Sequence, residues 1–83
     1  MGSAEGNWLK ESMEAYRVAR AELDRISKLD REEISFFVDE MSEVLLDLKQ
    51  AVINVDSSRA WRARQELRSL LSDLDDLLKG EEE

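Results

Sequence analysis

The residues best suited to chemistry in this chain are a cluster of cations around an indole. Residues 58–68 read SRAWRARQELR, with Arg59, Arg62, Arg64 and Arg68 surrounding Trp61. Guanidinium groups bind carboxylates and phosphates through paired N–H donors, and they stack on aromatic faces. Tryptophan and arginine are also the side chains that most often anchor protein interfaces. The cluster sits in a chain of formal net charge −8, so it needs an acidic counterpart, inside the fold or outside it. Carboxylate pairs are the second candidate. Asp39 with Glu43, and Asp73 with Asp76, have helical spacing and would do acid–base work if one member were buried with a raised pKa. Periodicity places both pairs on solvent faces, so no catalytic residues are expected. The run SDLDDLL at 72–78 looks superficially like an acidic metal loop. It lacks the central glycine and lies within a leucine repeat, which argues against calcium.

Histidine and cysteine are both absent. That removes the commonest metal ligand, the neutral-pH proton carrier, the thiolate nucleophile and any disulfide. A di-iron site in a helical bundle would need a Glu-x-x-His motif, and no histidine exists to supply one. The serines lack an imidazole base, Lys10, Lys28, Lys49 and Lys79 map to polar faces or helix ends, and no glycine-rich phosphate loop occurs. No enzyme, metal, cofactor or small-molecule substrate is expected. Four arginines within a net −8 molecule make a poor footprint for nucleic acid. Membrane binding is not expected either, because no apolar run approaches about 20 residues and the net charge repels anionic lipid. The opening MGSAEG lacks the features of a secretion signal, so 1–6 is expected to be a disordered leader or expression remnant, and the protein cytoplasmic.

The elements that must carry these residues follow from what is missing. There is no proline, and the three glycines (Gly2, Gly6, Gly80) lie near the ends. Few backbone positions therefore need a break or a positive φ. The chain is expected to be all-α, an antiparallel up-down-up three-helix bundle forming one domain over 7–79, with an acidic tail at 80–83. The composition is also what a designer of helical bundles would choose, and an engineered origin fits it. The first helix is expected over about 7–28, capped by Asn7, with Leu9, Met13, Tyr16, Ala19, Leu23 and Ile26 on one face. The second is expected over 31–55, capped by Asp30 with Glu33 closing a capping box. Its stripe is Ile34, Phe37, Val38, Met41, Val44, Leu45, Leu48, Ala51, Val52 and Val55, a repeat suited to shallow helix crossings. The third is expected over 57–79, capped by Asp56 or Ser57 and stopped by Gly80. It carries Ala60, Ala63, Leu67, Leu70, Leu71, Leu74, Leu77 and Leu78. The alternative is a fusion of helices two and three through the glycine-free NVDSS, which would force dimerisation.

Charge is unevenly spread. Residues 30–56 hold two cations against eight acids, a net −6, whereas 57–68 are net +3. Cations early in a helix oppose its dipole. The expected compensation is internal, with Asp39, Glu40, Glu43 and Asp47 lying beside the cationic helix. The alternative is an external anion or an acidic protein partner. Trp61 points about 100° away from the line of Ala60, Leu67 and Leu74, either folded over the bundle edge or free to anchor a partner; Trp8 is expected to close the bundle end. Phe36, Leu46 and Ile53 fall outside the stripe of helix two and form a second apolar surface. These features suggest a non-enzymatic helical-bundle scaffold or protein-interaction module. Its partner would be another protein or a second copy, bound through Trp61, Arg62, Arg64, Arg68, Leu46 and Ile53. The alternative is a small acidic inhibitor that fills a nucleic-acid-binding groove on its target with Asp39, Glu43 and Asp47. A designed fold without a ligand is a third possibility.

Overall fold

Three helices account for nearly all of the chain. A computed structural model describes residues 3–29 and 31–82, with α1 spanning Ser3–Ile26, α2 Glu32–Ile53 and α3 Ser57–Glu82. Each helix packs on the other two, α2 and α3 most extensively. The body measures 49 × 21 × 17 Å, with a radius of gyration of 14.0 Å. That exceeds the roughly 12 Å of a rounded domain of this length, because rods laid side by side cannot approach a sphere.

Two helices run past their expected ends. α1 begins at Ser3, so Asn7 lies within it and is not its cap. Ala4 and Glu5 are strong helix formers, enough to carry the helix across Gly6. α3 continues through Gly80 to Glu82. A glycine stops a helix when its backbone is drawn into the left-handed region, and Gly80 keeps a negative φ. Met1, Gly2 and Glu83 lie outside the described residues, as does Asp30, the expected cap of α2. The N-cap position of α2 is Arg31, in extended conformation and without a side-chain cap bond. Glu33 is then the second helical residue, one short of closing a capping box.

The second connection breaks the helix in spite of having no glycine. Asp56 N–H donates to the Ala51 carbonyl at 2.8 Å, and Val55 N–H to that of Val52 at 3.2 Å. These two bonds define a Schellman ending, whose pivot residue takes the left-handed conformation. That residue is Val55, with φ 54°, where a β-branched side chain is strained. Asp56 then starts α3, its carboxylate accepting from the Arg59 N–H at 3.1 Å. Val55 is accordingly exposed and leaves the apolar stripe assigned to it. Val55→Gly is expected to raise stability by about 1 kcal/mol, the relief of strain less the entropy of a glycine. Urea denaturation checks this, and a loss of stability would mean that the turn is not left-handed in solution.

The core consists of Ala19, Ile26, Ile34, Met41, Val44, Leu45, Leu48, Ala51, Ala60, Ala63, Leu67 and Leu74. The stripes of α2 (Val55 aside) and α3 are buried or half-buried as their spacing predicts, and Trp8 packs against the core from the first turns of α1. On α1 the inward face is rotated from the expected line. Met13 is 62% exposed, and its neighbour Ser12 is fully buried. Ser12, Ala19 and Ile26 recur every seven residues, so the small side chains sit where α1 meets the rest of the bundle. The Ser12 hydroxyl has no hydrogen-bond partner among the described residues. Removing a buried unsatisfied hydroxyl recovers its desolvation cost, so Ser12→Ala is expected to stabilise the protein by about 1 kcal/mol. An unchanged or lower urea midpoint would show that the hydroxyl is satisfied in solution.

Candidate partner-binding site

Trp61 stands in the first turns of α3, one residue after the buried Ala60. A single step of about 100° turns it out of the core, and it is 56% exposed. The indole lies where two surface grooves meet. The larger, roughly 950 Å³, runs between α1 and α3. Ala15, Val18, Leu67 and Leu71 supply its apolar surface, and Lys10, Glu11, Glu14, Arg64, Gln65 and Arg68 its polar lining. The smaller lies beside Trp8 and Trp61 and is bordered by Arg62. Val18 is itself exposed, so this apolar surface is not closed by the fold.

The four arginines divide into two kinds. Arg59 Nε donates to Asp47 Oδ1 of α2 at 2.7 Å, and this is the internal pairing expected from the charge pattern. Arg64 pairs instead with α1, its Nη1 donating to Glu11 Oε1 at 3.1 Å. Its side chain is only 18% exposed, and its Nε is buried without an acceptor among the described residues. Arg62 and Arg68 are exposed and form no ion pair among the described residues.

The expected match between the acids of α2 and the cations of α3 is therefore narrower than the charge totals suggest. Of the four acids assigned to it, Asp47 alone reaches an arginine among the described residues. Asp39 and Glu43 are exposed. Glu40 borders a shallow groove with Gln65 and Glu66 rather than with arginine. The helix rotation that buries Met41, Val44, Leu45 and Leu48 leaves two of the four acids, Glu40 and Asp47, beside α3, and Asp47 is the one that meets a cation there.

Leu46, Ile53 and Phe36 are all exposed. Leu46 lines a groove with Tyr16, Arg20 and Lys49, and Ile53 lines another with Met13, Tyr16, Lys49 and Val52. Both belong to the α1/α2 face, so they are not part of the Trp61 surface. Phe36 meets the ring of Phe37 edge-on, with centroids 5.6 Å apart. Sequence reasoning missed the contribution of Met13 to this patch because it assigned that residue to the core. On the same face the Tyr16 hydroxyl, with Asp24, holds the Arg20 guanidinium above its ordinary pKa.

Asp39, Glu43, Asp73 and Asp76 are solvent-exposed, as their periodicity predicts. Among the described residues no three acidic side chains converge as a metal cage would require, and no helix is long and apolar enough to cross a membrane. The chain matches no family model, no curated protein and no solved structure.

Proposed function

We propose that this protein is a non-enzymatic interaction module, an antiparallel up-down-up bundle that presents the α1/α3 groove to a protein partner. The topology is supported by two short connections and by the pairs that Arg59 and Arg64 make. Arg59, near the start of α3, meets Asp47 near the end of α2. Arg64 meets Glu11, so the first halves of α1 and α3 lie together. One observation carries the functional reading: a half-exposed tryptophan, in a groove of unclosed apolar surface, with Arg62 and Arg68 nearby and in no ion pair among the described residues. Scattered exposed aliphatics are ordinary on a small protein, whereas an indole with neighbouring arginines is the composition of an interface hot spot.

A second reading rests on a separate observation. Asp39 and Glu43 are exposed on α2 and form no ion pair among the described residues, so this helix presents an anionic face. Such a face suits an acidic inhibitor that occupies a nucleic-acid-binding groove on its target. The test is the retention of an affinity-captured partner by two variants. Trp61→Ala should release it, while Asp39→Asn with Glu43→Gln should retain it. The reverse pattern, with affinity falling steeply as salt rises, would replace the first reading by the second.

A further inference from the structure

The groove's charges specify the partner more closely, on the footing that the α1/α3 groove is the binding surface. Two acids line it, and both are held by arginines: Glu11 by Arg64, and Glu14 by Arg17. Two cations line it without a partner among the described residues, Lys10 and Arg68, and a third, Arg62, lines the smaller groove that meets it at Trp61. The open charge at this site is therefore positive, although the chain as a whole is net −8. At physiological salt the Debye length is about 8 Å, so acids elsewhere on the chain weigh little against the cations at the groove.

Shape adds a second constraint. The walls are two helices, 10–18 of α1 and 61–71 of α3, giving a straight trough of about 15 Å along α3. Apolar residues line the trough and cations border it. A nucleic-acid backbone or an isolated phosphate would leave that apolar surface uncovered. A third helix laid along the groove covers it, by the same ridge-into-groove packing that builds the bundle.

We propose that the α1/α3 groove docks an acidic amphipathic helix from a partner protein. Its apolar stripe lies on Trp61, Val18 and Leu71, and its flanking carboxylates meet Lys10, Arg62 and Arg68. Arg64 contributes a guanidinium already largely desolvated, whose Nε lacks an acceptor among the described residues. A small rotation of that side chain would turn the free edge to an incoming carboxylate.

The test uses a fluorescently labelled peptide of about five helical turns, with leucines spaced by three and four and glutamates flanking them. Its binding to the full chain is followed by anisotropy. Two control peptides carry lysine for each glutamate, or the same composition with the leucine stripe scrambled. The glutamate peptide should bind at least about tenfold more tightly than either control. Arg62→Gln with Arg68→Gln, at exposed positions outside the fold's own ion pairs, should weaken it by about tenfold, as the loss of two solvent-exposed charge pairs allows. Equal binding of the lysine peptide, abolished by Trp61→Ala, would overturn the acidic partner while leaving the groove as a binding surface. Equal binding of the scrambled peptide would overturn the helical partner. Binding of neither striped peptide would overturn both this proposal and the reading beneath it. Self-association abolished by Trp61→Ala would assign the groove to a second copy of the chain instead.

Discussion

Leu48→Ala is expected to lower the stability of the folded protein by about 3 kcal/mol, the usual cost of deleting a fully buried leucine side chain and leaving a cavity. Leu48 has no exposed surface and lies in the middle of α2, the helix most heavily packed against its neighbours. Domains of this size hold only about 4–12 kcal/mol in total, so this one change should remove a large part of the margin. Small domains lose about 1–3 kcal/mol of stability per molar urea, so the urea midpoint should fall by roughly 1–3 M. Leu46 provides the internal control. It lies two residues away, has the same side chain and is exposed, so Leu46→Ala should change stability by no more than about 0.5 kcal/mol. Equal effects at the two positions would mean that α2 does not present the 41/44/45/48 face to the core.

Trp61→Ala should have the opposite profile. The indole is more than half exposed and belongs neither to the core nor to the half-buried residues packed on it. Its removal should leave stability within about 1 kcal/mol of the parent. Binding should suffer far more, because truncating an interface anchor costs about 2–4 kcal/mol, or roughly 30- to 1,000-fold in Kd. Calorimetry of unfolding and of binding on the same two proteins separates these effects. A large loss of stability with little change in affinity would make Trp61 a packing residue of the bundle edge.

Much of the helical organisation was legible because α2 and α3 repeat apolar residues at three and four over more than five turns, and a repeat of that length tolerates no other secondary structure. The exposure of Phe36, Leu46 and Ile53 follows from the same count, since each lies off the α2 stripe. α1 was harder to read. Its inward face is built from Ser12, Ala15 and Ala19 with few large aliphatics, so the eye is drawn to Met13, one step of about 100° away. The turn at 54–56 was obscured because its left-handed position holds valine where glycine is the usual signal. Helix ends at Asn7 and Gly80 were misread because both residues are permitted inside a helix at modest cost. The site was legible in part. Residue type singled out Trp61 and its arginines, but not which acid each arginine would meet. Charge totals do not encode the rotation of a helix about its axis, and that rotation gives Asp47 to Arg59 and Glu11 to Arg64.

The proposed function requires the α1/α3 face to be a binding surface that the fold itself leaves open. Amide chemical-shift mapping of the ¹⁵N-labelled protein, titrated with the glutamate-flanked amphipathic peptide, tests this directly. The largest shifts should fall in 10–18 and 61–71, with the indole N–H of Trp61 among them and α2 little changed. Shifts centred on Leu46, Ile53 and Met13, or none at any face at saturating peptide, would contradict it.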